Sequence, residues 1–454
     1  MEIAAFREAL GALGGSAKII TDPDVMATYS RDMALFAKYE LPDAVLLARS
    51  TQEVSLALKF AHLHQIPVVT RGAGSGLAGG ANSMAGSLVI GLEKMNEIIE
   101  IDAVNQIARV QAGVINKDID NEARKFGLAY LPDPASRDWS TIGGNIATNA
   151  GGMCCIKYGV TAHHVRALTL VLPNGEVIEI GKSTKKNVTT LDLLHLVIGS
   201  EGTLGIITEA ILSLVNKPAE PVTLLATFPS ISQAAAAAIA MTIFRPSMLE
   251  LIDATTLRAI EAWHPLGFEV TGAILLMELD ENSESMQAAL ERVIELGATD
   301  GVISESAAER GDLLRVRKLA YPALERLGAA ILDDVCLPLS RIAHYVEGVA
   351  KIATENDVMI GIFGHAGDGN LHPTIVYPHQ DEAAKQRAIL AFNELIYLAQ
   401  SMGGTASGEH GIGSIKTAHV EREISSTVLS LQRGIKAVFD PTGIMNPGKK
   451  ISAR

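Results

Sequence analysis

The sequence predicts an α+β protein built as more than one domain, and three observations predict it. The chain has 454 residues, more than one ordinary hydrophobic core accommodates. Strand-like apolar runs alternate with helix-like stretches, and Gly, Pro, Asn or Asp separate them. After Pro218 and Pro221 the pattern restarts with a strand-like run and an alanine-rich helix, which marks a boundary near 218. The expected division is a helical lead-in over 1–39, a first domain over 40–218 and a second over 219–454.

The elements follow in order. Residues 44–48 read as a buried strand, and Ser50 or Thr51 caps a helix that runs to about 64, with Glu53 in its first turn. The next strand, 67–70, empties into Arg71-Gly72-Ala73-Gly74-Ser75-Gly76-Leu77-Ala78-Gly79-Gly80. Glycines there permit positive φ and remove side chains, so backbone N–H groups can converge on an anion. Gly74 to Gly79 matches the letters GxGxxG, but the strand at 88–91 follows instead of a helix. That favours a free phosphate cradle over a Rossmann turn. Strands at 97–101 and 108–111, a helix at 115–126 and the rigid turn Pro132-Asp133-Pro134-Ala135-Ser136 come next. Two further small-residue segments, 141–152 and 199–208, lie either side of an Asn174-Gly175 hairpin turn. Three such segments in one domain suit a long, phosphate-bearing ligand. Beyond 218, strands are expected at 222–228, 273–279, 301–304, 331–337, 358–363 and 371–376. Helices are expected at 285–296, 307–327, 339–356, 382–402 and 420–439.

Composition excludes several classes. Hydrophobic residues make up 48% and charged residues 20%, and the formal charge of -13 argues against general nucleic-acid binding. No uncharged apolar run reaches the roughly 18 residues that span a bilayer. The N-terminal stretch, with Glu2, Arg7 and Glu8, is amphipathic and unlike a signal peptide. Three cysteines without CxxC spacing argue against disulfides and thiolate metal sites, and suit a reducing, cytoplasmic setting. Cys154 and Cys155 read as packing residues.

The candidate reaction centre has two halves. Gly364 to Pro373 sets His365 and His372 seven residues apart, with Gly367-Asp368-Gly369-Asn370 between them. A tight turn between the flanking strands brings both imidazoles beside one point. Gly408-Glu409-His410-Gly411-Ile412-Gly413 offers a carboxylate and a further imidazole.

Taken together and in order, 71–80, 132–136, 141–152, 199–208, 365–372, 408–413 and the terminal Asn446-Pro447-Gly448-Lys449 resemble one family. It is the FAD-linked 2-hydroxy-acid dehydrogenases of the vanillyl-alcohol-oxidase/PCMH superfamily, nearest to glycolate-oxidase flavin subunits and FAD-dependent D-lactate dehydrogenases. The resemblance implies a PCMH-type FAD-binding domain of two α/β lobes, then a substrate domain with an antiparallel sheet and flanking helices. It implies FAD contacts from Arg71, Gly72, Ala73, Gly74, Ser75, Gly76 and Gly79, and from Pro132, Asp133 and Ser136. It extends them to Thr141, Gly143, Gly144, Asn145, Thr148 and Asn149, to Glu201, Gly202, Gly205, Ile206 and Ile207, and to Asn446, whose other reading is a plain C-terminal turn. Several superfamily members attach FAD to a histidine of the first glycine loop; Ser75 stands there, so the FAD is expected to be non-covalent.

Oxidising an α-hydroxy acid needs a cation for the carboxylate, a lowered hydroxyl pKa, a proton acceptor and a hydride acceptor. The resemblance makes His365, His372 and Glu409 a ligand set for a divalent metal, zinc first, with iron or manganese as alternatives. His410 is then the general base, its competing role a hydrogen bond to flavin. Arg317 is the carboxylate clamp, the alternative being a solvated basic helix face with Arg315 and Lys318. The related 2-hydroxyglutarate enzymes carry a lysine where Leu332 stands and an asparagine where Thr374 stands, which favours substrates with one carboxylate. The implied partner is a separate electron acceptor: a quinone, a cytochrome, an electron-transfer flavoprotein or an iron–sulfur subunit. The assembly is a homodimer or a complex with partner subunits, cytoplasmic or peripheral at a membrane. Competing readings are a D-2-hydroxyglutarate dehydrogenase, a non-redox FAD enzyme of the alkylglycerone-phosphate synthase type, a flavin-binding interaction subunit and a zinc hydrolase.

Overall fold

The computed structural model describes residues 3–11, 18–267, 270, 272–281 and 283–451. The chain divides into two compact units: Met1–Gly151, Val160–Lys217 and Glu409–Arg454 form unit 1, and Gly152–Gly159 with Pro218–Gly408 forms unit 2. The handover at Lys217 falls where the prolines end the first pattern. The expected 219–454 segment is divided, because the chain's end packs into unit 1: Val68 N–H donates to Ile444 O, Asn446 N–H donates to Val68 O, and Ile444 and Met445 join the core of the first lobe.

The first lobe of unit 1 is a four-stranded sheet of β1 (Lys18–Ile20), β2 (Ala44–Leu47), β3 (Val68–Arg71) and β4 (Leu88–Gly91). Their order is β1-β2-β4-β3, with β1 antiparallel and the others parallel. The uninterrupted apolar runs of β2 and β4 are buried throughout, as parallel strands covered on both faces require. Of the lead-in expected over 1–39, α1 (Ile3–Gly11) and α2 (Pro23–Ala27) are helical, whereas 1–2 and 12–17 lie outside the described residues. Next, α3 (Thr51–Leu63) begins at Ser50, whose hydroxyl accepts the Glu53 N–H, while the Glu53 carboxylate accepts the Arg49 N–H.

The second lobe is an antiparallel sheet of β5 (Ile98–Asp102), β6 (Ile107–Gln111), β8 (Val165–Val171), β9 (Val177–Gly181) and β10 (Ile206–Ser213), in the order β5-β6-β10-β8-β9. A ribbon of β7 (Leu128–Ala129) and β11 (Val215–Asn216) stands apart from it. Three helices belong to this lobe: α4 (Asn116–Arg124), α5 (Ile142–Thr148) and α7 (Leu193–Val197). The sequence gives no warning of α5, because glycines are poor helix formers. Thr141 caps it, and Gly143 brings it against Ala112 where a side chain would collide.

Unit 2 contains α6 (Cys155–Tyr158) and an antiparallel sheet. The strands are β12 (Val222–Phe228), β13 (Met248–Ile252), β14 (Ala273–Leu279), β15 (Asp300–Ile303), β16 (Ala329–Leu332), β17 (Val335–Cys336), β18 (Met359–His365) and β19 (Asn370–Tyr377). Their order is β15-β12-β14-β13-β18-β19-β16, with β17 also on β19. Its helices are α8 (Ile231–Met241), α9 (Ala254–Trp263), α10 (Met286–Glu295), α11 (Ala307–Glu325), α12 (Ile342–Glu355) and α13 (Glu382–Ser401). Ile252, Phe363 and Val376 of the sheet pack with Leu257, Val316, Ala320 and Leu324 of α9 and α11. The closing helices α14 (Thr417–Glu423) and α15 (Ser426–Phe439) lie in unit 1.

Candidate active site

The two motif histidines sit on strand ends, not on the turn between them. The four residues Ala366–Gly369 join β18 to β19, with His365 opposite Asn370 and Phe363 opposite His372. Gly369 has φ +87°, and a Cβ there would strike the Leu337 carbonyl, so the turn needs this glycine. The register makes His365 and His372 diagonal neighbours on one face of the hairpin. Their rings stand 5.0 Å apart and nearly perpendicular, and their Nε2 atoms approach to 3.3 Å.

Behind this pair lies a residue that sequence reading missed. Glu250, fully buried on β13, is the ladder partner of His365. One carboxylate oxygen lies 2.5 Å from His365 Nδ1, and the other accepts the Nε–H of Arg317. Burial alone would raise the Glu250 pKa, but the charges and hydrogen bonds of His365 and Arg317 hold it at about 2. An ionised carboxylate only accepts, so the Nδ1 of His365 carries the proton. Arg317, on α11, also lies over the Phe363 ring at 4.8 Å. It is thus the inward-turned residue of the basic stretch, while Arg315 and Lys318 are exposed. One signal was available: Met-Leu-Glu-Leu-Ile places a lone carboxylate inside an apolar strand, and a buried charge requires partners.

Asp334 is a second buried carboxylate of this unit. It is fully buried, and it accepts from Asn370 Nδ2 at 2.7 Å, Ser407 Oγ at 2.5 Å and Gly408 N at 2.9 Å. Its Oδ1 lies 3.9 Å from His372 Nδ1. Gly408 is therefore fixed in unit 2, and Glu409 and His410 follow it directly in the chain. Leu332 and Thr374, the two departures from the 2-hydroxyglutarate pattern, face one another across β16 and β19.

In unit 1 the 72–80 loop is half-buried, and among the described residues none of its backbone N–H groups donates to a protein acceptor. Gly74 and Gly79 have φ of +78° and +76°. The Arg71 guanidinium lies beneath Gly74 and donates to the carbonyls of Arg31 and Thr28. The Lys449 ammonium is buried under the same loop and donates to the carbonyls of Gly80 and Asn82; burial lowers its pKa to about 8. Asn446 Nδ2 ties Gly80 O to Glu201 O, at 3.0 and 2.7 Å.

The 141–149 side chains expected along a cofactor also make bonds within the protein. Thr141 caps α5, Asn145 bonds Asn116 and Ser140, Asn149 accepts the Ala162 N–H, and Thr148 bonds the carbonyl of Gly144. A short helix of small residues needs these braces. Ile206 and Ile207 are core residues, and a side chain at Gly205 would meet Val171 O. Pro132 and Asp133 are buried, with Ser136 partly so. The Glu201 carboxylate accepts the N–H groups of Ile412 and Gly413 at 2.9 and 2.7 Å and pairs with Lys450 at 3.2 Å. It thus holds the chain just beyond His410, whose Nε2 is 3.8 Å from Glu409 Oε1.

The residues fit the implied groups. For FAD, the loop offers unbonded N–H groups, and Thr70 Oγ1, Ser414 Oγ and Asn446 Oδ1 are buried without a protein partner. Thr70 and Asn446 both border Gly202. For a divalent ion, two imidazole Nε2 atoms converge, and one ring is held through its other nitrogen.

The family model for FAD linked oxidases, C-terminal domain, matches residues 217–450, and that for an FAD binding domain matches 42–181. The chain belongs to the FAD-linked oxidases. It is 41% identical to glycolate oxidase subunit GlcD of Bacillus subtilis, over 90% of this chain and 89% of the relative. It is 36% identical to a D-lactate dehydrogenase of Anaerostipes hadrus, over 95% and 94%. Identity to a D-2-hydroxyglutarate dehydrogenase of Xanthomonas citri pv. viticola is 34%, over 95% and 94%. A solved 4-ethylphenol oxidase of Gulosibacter chungangensis superposes with a TM-score of 0.80 at 20% identity, covering 100% of this chain and 97% of that one, which shows the fold. This FAD-linked oxidase is therefore an FAD-dependent oxidoreductase. Among its described residues no helix is long and apolar enough to cross a membrane.

Proposed function

We propose that this enzyme oxidises a small D-2-hydroxy acid with one carboxylate, of the glycolate or D-lactate class, to the 2-oxo acid. The electrons pass to a separate acceptor. The observation that carries the reading is the meeting of Arg317 and His365 on the buried Glu250 carboxylate, with His372 beside them. It joins a fixed cation to a pair of nitrogen donors, as an α-hydroxy carboxylate requires.

Non-covalent FAD, when bound, supplies the hydride acceptor, and a divalent ion, zinc before iron or manganese, supplies Lewis acidity at the hydroxyl. His365, His372 and Glu409 would hold that ion. Arg317 spends one of its five N–H groups on Glu250, and the others are available to a substrate carboxylate. His410 takes the hydroxyl proton, on a backbone that Glu201 anchors two and three residues further on. The N–H groups of 72–80 receive the pyrophosphate, and Ser75 gives no imidazole for a flavin bond.

The one-carboxylate reading draws on Leu332 and Thr374. As ladder partners they leave a neutral patch two residues beyond His372, where a second carboxylate would be left without a cation. Anaerobic mixing with D- and L-hydroxy acids, with metal analysis of the same sample, tests this. Flavin bleaching by D-lactate or glycolate is expected, with 2-hydroxyglutarate far slower. Fastest bleaching by 2-hydroxyglutarate defeats the substrate class, and no bleaching by any hydroxy acid defeats the function.

A further inference from the structure

We propose that Glu250 is a positioning residue for the metal pair: it fixes the proton on Nδ1 and the ring plane of His365, so that Nε2 is bare and aimed at a divalent cation shared with His372. The inference rests on the hydroxy-acid reading above and adds a residue that none of the family motifs quoted above contains.

Three features restrain the carboxylate. The β13–β18 ladder sets Glu250 opposite His365, so its backbone cannot drift from the ring. Arg317 occupies its second oxygen, which blocks rotation of the carboxylate plane, and Arg317 is itself seated on Phe363. All five residues of β13 are buried, so the contact is shielded from water. His365 thereby loses both ring-flip and tautomer freedom. A second carboxylate, Asp334, stands behind His372 at a longer 3.9 Å, and both imidazoles present Nε2 to the same point. A bracing carboxylate on the far nitrogen orients a ligating imidazole and raises its basicity. Neutralising Arg317 alone would not need the second contact to His365.

The test uses the full chain with its FAD, stripped of metal and titrated with Zn²⁺ against a chromophoric chelator. His365→Asn identifies which zinc event belongs to this site. Glu250→Gln keeps the shape and removes the charge, and it is expected to weaken zinc binding roughly 10- to 100-fold. Unchanged zinc affinity in a folded Glu250→Gln protein overturns the proposal and leaves the metal reading intact. Wild-type protein that takes up no zinc at His365 overturns both. Should Glu250→Gln fail to fold, the ¹⁵N-histidine spectrum of metal-free wild type decides, with His365→Asn as the assignment. A protonated Nδ1 on His365 supports the proposal, and a bare Nδ1 overturns it.

Discussion

Residues 72–80 and residues 363–374 are built in opposite ways: the first withdraws side chains and the second converges them. In the glycine loop the Arg71 side chain turns inward and the backbone N–H groups are left to act. In the hairpin the backbone is consumed by the β ladder, and polar side chains of β13, β18 and α11 meet at Glu250. A cofactor common to many chemistries is held by groups every residue possesses. A reaction centre needs particular pKa values and ligands, which only side chains provide. The first should therefore break on added bulk, and the second on altered charge at constant shape.

The largest effect is expected at His410, the proposed base. His410→Asn should slow flavin reduction by substrate about 10²- to 10⁴-fold while FAD stays bound, read by anaerobic stopped flow. Loss of FAD from this variant would instead assign His410 to the cofactor. Next, Arg317→Met should raise KM by tens- to hundreds-fold and remove roughly 3 to 5 kcal/mol of stability, because it strands the Glu250 charge. Arg315→Met, on the exposed side of α11, should stay within about 0.5 kcal/mol of wild type. Equal effects at the two positions would erase the contrast between inward and solvated cations.

A smaller effect falls on the loop. Gly74→Ala puts a side chain at φ +78° and against the Arg71 guanidinium, and it should weaken FAD roughly tenfold in equilibrium dialysis. If FAD then binds as in wild type, side-chain withdrawal is not what the loop is for.

The subtlest test separates the units by pH. Burial, helped by Lys416 and Arg422, lowers the His419 pKa from 6.5 to about 4. Folded His419 is neutral where unfolded His419 is protonated, so the unfolded state binds more protons and stability falls as pH drops from 6.5 to 4. Glu250 goes from 4.5 unfolded to about 2 folded, so its contribution holds above 4.5 and is lost as pH falls through 2. The two tryptophans, Trp139 and Trp263, lie one in each unit. Trp263→Phe protein reports unit 1, which should lose stability in the higher window. Trp139→Phe protein reports unit 2, which should hold to lower pH.

Much of this was legible before folding. The strand Ala273–Leu279 emerges as read, and the hairpin sits where the apolar runs flank the glycines. What escaped was the partners: the apolar run around Glu250 marks a buried charge but not what it meets. Glu250 and His365 are 115 residues apart in sequence. Glu201 reads as part of a flavin segment, yet its carboxylate anchors Ile412 and Gly413. The α5 helix is written in glycines and depends on its Thr141 cap.

The sequence by itself determined most of the element pattern and the glycine loop, because periodicity and turn chemistry are local properties. Only the tertiary structure decided which charges meet. Sheet order put β13 beside β18, so Glu250 stands behind His365; α11 turned Arg317 rather than Arg315 toward it; and β16 set Leu332 against Thr374. Such pairings follow from non-local strand register and helix packing, which no window along the chain contains.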